Sequence, residues 1–330
     1  MISSHDNAIG GYFELEPGKG SGLALQQSAT SYQSARSAMA AALLHVKPST
    51  VWVPHFICGV VIEMLDTLGI TIKKYSLSEK FGVQGDLDLG PTDHLICVDY
   101  FGICAAEVDA AIQLYGVEKV LVDASQSLYF KPGANYSVAY SPRKFVGVPD
   151  GGLLLSPYTP ASPLPADETG SAFRSRHLHT RAAGQVEAGY LQYQEAEKTF
   201  ADPLPQCMSN ITKSMLAAID FDAIALRRRS NYQTLSAALA DKGFRTLPLP
   251  AAAVPLCLPV LDIDADALRR ELVSRRIFTP AYWPDASIPA DDHIGSMLQN
   301  RTLYLPCDQR YGDIEMHKIC KALIHPKDSP

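Results

Sequence analysis

The chain has 330 residues, 47% hydrophobic and 19% charged, enough to bury a large core as two domains or as one large α/β domain with an appendage. A net charge of -6 and a pI near 5.8 exclude a general nucleic-acid or membrane-surface binder, which needs a basic face. Seven scattered cysteines lack metal-site spacing, and neither a leader at Met1–Asn7 nor a bilayer-length apolar run stands out, so free thiols and a soluble cytoplasmic protein are expected.

In chain order, Ile9 to Glu16 alternates aromatic and polar residues and reads as a short strand or arm. Gly18-Lys19-Gly20-Ser21-Gly22 fits neither phosphate-loop spacing and reads as a flexible turn. Ser31 to Val46 carries Ala35, Met39, Ala42, Leu43 and Val46 at helical spacing. Its start, Ser34-Ala35-Arg36-Ser37, is either an ordinary cap or a place where free backbone N–H groups attract a phosphate. Thr50 to Pro54 and Ile70 to Tyr75 read as strands around a helix at Ile57 to Leu68, and Lys80 to Pro91 as a surface loop. A strand from His94 to Tyr100 precedes a helix from Ala105 to Tyr115; this alternation favours parallel crossover units.

Val120-Leu121-Val122-Asp123 is an apolar run closing on a carboxylate, so Asp123 falls at a strand's C-terminal end, the edge where open α/β sheets bind ligands. Lys144 falls in a loop between this strand and the apolar run after Asp150-Gly151-Gly152. A buried Asp and a loop Lys together suit one chemistry: the lysine condenses with an aldehyde cofactor while the carboxylate keeps the cofactor's ring nitrogen protonated. The proline-rich Tyr158 to Asp167 ends the main sheet, and Arg174 to Arg181 is a loop whose arginines either grip a diphosphate or face solvent. His177-x-His179 lacks a third metal ligand. Helices are expected over Val186 to Phe200 and, unbroken, over Asn210 to Ala240, with Arg227-Arg228-Arg229 a salt-bridged face. Val254 to Leu261, Ile277 to Tyr282 and Arg301 to Leu305 read as strands, with Asp264 to Arg275 and Asp313 to Leu323 as helices.

Asp123-Ala124-Ser125-Gln126, followed about twenty residues later by Ser141, Lys144 and Asp150-Gly151-Gly152, resembles the DegT/DnrJ/EryC1/StrS family of fold-type I, pyridoxal-phosphate-dependent sugar aminotransferases. The resemblance implies a large domain, 1–225, with a mostly parallel seven-stranded sheet flanked by helices, and a small α+β domain, 226–330. It further implies a homodimer and pyridoxal 5'-phosphate held by Lys144 and Asp123. Gln126 is placed on the ring hydroxyl and Ser141 on the phosphate. Ala35 and Arg36 stand where the family has Gly-Thr at its phosphate turn. Alignment puts Cys58 at the slot for the side chain stacked on the ring, but Phe56, the nearby aromatic, is preferred. Arg143 beside Lys144 would lower the amine's pKa by like-charge repulsion.

Tyr100, Arg174, Tyr282 and Arg310 are the implied substrate contacts, with Tyr100 otherwise a packing residue and Arg310 either a receptor for an anionic group or half of a structural ion pair. The family's Asn-x-Arg-Met is absent at Pro205-Gln206-Cys207-Met208, so no cross-dimer phosphate contact carries over. The implied reaction is amino transfer from glutamate to a nucleotide-linked keto sugar. A dehydratase of the same family is disfavoured because such enzymes replace the lysine with His, and a sensor or scaffold retaining the fold is the other alternative.

Overall fold

A computed structural model describes residues 8–16, 18, 20–160, 162–200, 202 and 204–325; Met1–Asn7 and Lys19 lie outside the described residues. The chain begins with β1 (Ile9–Gly10), β2 (Thr30–Tyr32) and α1 (Ala35–Val46). It continues through β3 (Thr50–Pro54), α2 (Gly59–Thr67), β4 (Thr71–Tyr75), β5 (Asp93–Val98), α3 (Ala105–Tyr115), β6 (Val120–Ala124), β7 (Ser137–Tyr140) and β8 (Gly152–Leu155). The helices α4 (Glu168–Arg174), α5 (Arg176–Ala182), α6 (Val186–Lys198), α7 (Asn210–Ala218) and α8 (Phe221–Ala240) follow. Last come β9 (Arg245–Thr246), β10 (Cys257–Leu261), α9 (Ala265–Ser274), β11 (Ile277–Phe278), α10 (His293–Asn300), β12 (Thr302–Pro306) and α11 (Asp313–Ile324).

Seven strands form the central sheet in the order β2-β8-β7-β6-β5-β3-β4. β7, β6, β5, β3 and β4 pair in parallel, and β8 runs antiparallel to both of its neighbours. The order turns about β3: one crossover leads outward to β4, the next returns to β5 on its other side. The C-terminal ends of β3, β5 and β6 therefore open onto a topological switch point, the edge that carries ligands in such sheets. β6 is buried along its whole length, as a strand covered on both faces must be. α1 is buried almost all round, which its alanines Ala38, Ala40, Ala41 and Ala42 permit by letting the helix approach the sheet closely.

A second core gathers Tyr232, Leu235 and Leu239 of α8 with Leu258 and Val260 of β10, Leu303 and Leu305 of β12, and Ile319 and Leu323 of α11. β12, β10 and β9 form its sheet, and β1 pairs in parallel with β11, so the N-terminal arm is stitched to the C-terminal third of the chain.

Several elements differ from the sequence reading. Thr30–Tyr32 is an edge strand paired with β8, and the first helix starts later, capped by Ser34. The long helix is two, because Ile219 is extended and the Asp220 carboxylate caps α8 by accepting from Ala223 N–H at 2.9 Å. Arg174–Arg181 belongs to two short helices instead of a loop. The turn at Gly20 and Gly22 is packed, not free: both N–H groups donate to the α7–α8 junction, at Ala218 and Ile219 oxygens. Among the described residues no helix is long and apolar enough to cross a membrane, and no group of side chains is arranged to hold a metal.

Candidate active site

Asp123 lies at the C-terminal end of β6, 2% exposed. Its Oδ1 accepts from the backbone N–H of Ser125 at 2.8 Å, an Asx turn that fixes the carboxylate. The Ser125 hydroxyl accepts from Lys144 Nζ at 3.2 Å. Ser125 thus links the carboxylate to the amine, a role that sequence reasoning did not assign it. Its place between Asp123 and Gln126 was the only available signal.

Lys144 closes a single 3-10 turn, Pro142–Lys144, that follows β7 directly, and its N–H donates to Ser141 oxygen at 3.2 Å. Proline at the first position of that turn presets its φ angle, so the Ser-Pro-Arg-Lys sequence itself shapes the turn. Ser141 is buried at the start of this turn. Arg143 does not stand as an isolated positive charge beside the amine: its guanidinium pairs with Glu197 of α6 and lies over the Phe200 ring.

The Asp150-Gly151-Gly152 run joins this turn to the start of α1. Gly151 N–H donates to Gln33 oxygen at 2.6 Å. A Cβ on Gly152 would lie 2.1 Å from the Ser34 carbonyl and 2.5 Å from Ala35 nitrogen, so only glycine lets the strand approach the helix start. The Ser34 hydroxyl accepts from Ser37 N–H at 3.1 Å as an N-cap. Ala35 and Arg36 thereby open α1 at the edge occupied by Asp123 and Lys144.

Cys58 caps α2 and is half-buried. Burial pushes its thiol pKa up; the Lys144 and Arg36 cations pull it down and Asp123 pushes it further up. Phe56, preferred on sequence grounds as the stacking side chain, is instead fully buried against Trp283, with ring centroids 4.6 Å apart, and Tyr100. Gln126 is also fully buried, its Oε1 accepting from Phe101 N–H at 2.9 Å while its Nε2 has no partner.

The implied substrate residues divide. Tyr100 is 1% exposed and its hydroxyl donates to Phe56 oxygen at 2.6 Å, so it is a packing residue. Arg174 is 1% exposed, engaged by Asp150, Asp167 and Thr199 and stacked on Phe200. Arg310 forms a buried pair with Asp308 at 2.8 Å and donates to Tyr12 oxygen, the structural ion pair rather than a free anion receptor. Arg310 lines a small cavity, whereas Tyr282 borders a larger open space as well.

That space is a cleft of about 810 Å³ with Lys144 on its wall. The arm contributes Tyr12 and Phe13, α5 and α6 contribute His177, Tyr190 and Tyr193, and the segment after β11 contributes Thr279 and Tyr282. Tyr12 stacks on Tyr193 at 5.4 Å, with the His177 ring edge-on to both. Burial, then the Arg143 charge, pushes the His177 pKa down to about 4, so the ring is neutral at pH 7. The chain therefore presents its amine between a polar corner, formed by Asp123 and Ser125, and an aromatic cleft.

No protein-family model and no curated protein matches the sequence. Solved structures match it at the level of fold. Spr1654 from Streptococcus pneumoniae in its PMP form has a TM-score of 0.66 at 12% identity, covering 96% of this chain and 92% of that one. The sugar aminotransferase CalS13 from Micromonospora echinospora has a TM-score of 0.61 at 14% identity, covering 98% and 99%. DesI, solved in the presence of its TDP-sugar product, has a TM-score of 0.61 at 16% identity, covering 91% and 81%. Nearly the whole length of Spr1654 and of CalS13 aligns with this chain. The chain has the fold-type I architecture of these aminotransferases.

Proposed function

We propose that this protein is a pyridoxal-phosphate-dependent aminotransferase that acts on a nucleotide-linked keto sugar with glutamate as amino donor, as a homodimer. The observation that carries the reading is the Asp123–Ser125–Lys144 chain of hydrogen bonds at the switch point of the sheet. DesI, named above with its TDP-sugar product, supports the sugar class. The division into a large domain, 1–225, and a small one, 226–330, belongs to the same proposal; the core around Tyr232, Leu258 and Ile319 supports it, while Leu256, Leu261, Leu298 and Tyr304 pack into the larger core.

The residues present fit the cofactor. Gln126 Nε2 is a buried donor without a partner, and a ring hydroxyl supplies the acceptor it lacks. The close approach of Gly152 to the Ser34–Ala35 backbone brings the start of α1, with its outward N–H groups and Arg36, up to the lysine turn as a phosphate anchor. Cys58 takes the position against the ring face, and Ser141 joins the phosphate side.

Bound pyridoxal phosphate supplies an electron-accepting ring and an aldehyde carbon. Lys144 would hold the cofactor, and its Nζ is the group placed to take up and return a proton. Ser125 Oγ orients Nζ for both tasks. Asp123, fixed by Ser125 N–H, would face the cofactor's ring nitrogen and favour its protonated form. Tyr282 and the Tyr12–Tyr193 wall shield the amine from water on the cleft side.

Purified protein titrated with pyridoxal phosphate is expected to gain a visible absorption band. Lys144→Ala is expected to lose the band and at least about 10²-fold of turnover, the range for a missing proton-transfer group. L-Glutamate is expected to bleach the band with release of 2-oxoglutarate, and the correct keto sugar to restore it. A wild-type protein colourless at saturating cofactor would remove the reading in favour of a non-catalytic scaffold. Colour that no amino acid bleaches would leave cofactor binding but not transamination.

A further inference from the structure

The carbonyl of Phe145, the residue immediately after Lys144, accepts two hydrogen bonds from outside its own turn. Gln309 Nε2 donates to it at 2.8 Å and Arg228 Nη2 at 3.1 Å. The two donors are themselves joined, Arg228 Nε donating to Gln309 Oε1 at 2.9 Å. Arg228 is fully buried, its guanidinium 4.6 Å from the Phe145 ring centroid, and its Nη1 donates to the oxygens of Pro255 at 3.3 Å and Leu256 at 3.1 Å. Gln309 Nε2 also donates to Glu16 of the N-terminal arm at 3.1 Å.

Two distant parts of the chain, α8 and the turn after β12, thus converge on one backbone oxygen, and their side chains also hold the arm at Glu16 and the segment before β10 at Pro255 and Leu256. A fully buried guanidinium is costly to desolvate, and it is tolerated only where its donors are engaged. Here Nε and both terminal nitrogens donate to oxygens whose positions are set by the lysine turn and by the C-terminal part of the chain. The sequence reading put Arg228 on a salt-bridged face, and nothing in the Arg227-Arg228-Arg229 run distinguishes it.

We propose that Arg228 and Gln309 are positioning residues that clamp the turn carrying Lys144, setting where its amine lies relative to Ser125 and Asp123. This rests on the reading of Lys144 as the cofactor-bearing amine. Neither residue touches the reacting atoms. They act through the Phe145 carbonyl, so that a shift of the C-terminal domain or the arm is felt at the amine.

The test uses Gln309→Met, which keeps the side-chain length but removes donor and acceptor, and the pair Arg228→Lys and Arg228→Met. Three quantities are measured: melting temperature without cofactor, the pH midpoint of the visible band with pyridoxal phosphate, and the rate at which trinitrobenzenesulfonate labels Lys144 in cofactor-free protein, read by peptide mass spectrometry. The clamp predicts that Gln309→Met stays folded, moves the band midpoint by at least half a pH unit, changes the labelling rate at least threefold, and lowers kcat more than it raises KM. Arg228→Lys is expected to restore part of what Arg228→Met loses.

A folded Gln309→Met with wild-type midpoint and labelling would overturn the proposal, as would failure of all three variants to fold, which assigns the residues to stability alone. Should only the Arg228 variants fail to fold, Gln309→Met decides. If wild-type protein gives no visible band, the cofactor reading fails by itself, and the labelling rate alone judges the clamp.

Discussion

At the scale of single residues, the site depends on contacts that admit little change. Gly152→Ala puts a methyl group against the backbone of Ser34, which cannot move without shifting α1. The expected cost is about 2 kcal/mol or more, from overpacking, together with at least tenfold weaker cofactor binding. Urea unfolding and a spectral titration check the two. Asp123 and Lys144 were legible in the sequence because a strand-end carboxylate and a loop lysine each leave a local mark. Ser125, Arg228 and Gln309 were not, since each acts through a partner distant in sequence and none breaks a local pattern. Arg174 and Arg310 failed for the opposite reason: guanidinium groups look available in a sequence, but Asp150 and Asp308 had already paired with them. Phe56 failed because its nearness to the strand end does not show that Trp283, far along the chain, covers it.

At the scale of elements, most strands were readable because buried parallel strands are short apolar runs, as Val120–Ala124 shows. Boundaries set by caps and pairing were less so. The α7–α8 break turns on Asp220, whose helix-compatible neighbours hide it. Asp220→Ala is expected to cost about 1 kcal/mol, seen as a lower urea midpoint without loss of the visible band, since the cap lies away from Lys144. β2 was taken for part of a helix because Ser31 and Tyr32 have no strand signature of their own; their pairing with β8 decides it. The α10 helix, His293–Asn300, also escaped notice. It is capped by Asp292, whose other oxygen lies 2.9 Å from His55 Nδ1 at the end of β3.

At the scale of the whole molecule, two buried titratable groups oppose each other. His177 has its pKa pushed down to about 4 by burial and then Arg143. Between that value and its usual one near 6.5, the unfolded chain binds a proton that the folded chain refuses, so its contribution to stability is lost as pH falls. Burial pushes the Asp99 pKa up to about 6, so between its usual 3.8 and that value the folded chain keeps a proton that the unfolded chain releases. Its contribution is lost as pH rises. The windows overlap between pH 4 and 6, where the two slopes nearly cancel. His177→Phe, which keeps an aromatic ring against Tyr12 and Tyr193, is expected to make stability fall with rising pH, relative to wild type, by up to about 1.4 kcal/mol per pH unit. Asp99→Asn is expected to tilt it the other way by a similar amount. Urea midpoints at pH 4.5 and 6 distinguish the two; parallel shifts at both values would show that the groups titrate alike in the folded and unfolded chains.

The pairing of Ile9 with Ile277 has a further consequence for how the molecule is made. β1 has nothing to pair with until the ribosome has gone on to make β11. Closing so long a loop is slow compared with forming the neighbouring crossovers. A nascent chain can therefore assemble the central sheet while β1 still lacks its neighbour, and the aromatic cleft comes into being only after β11 has emerged.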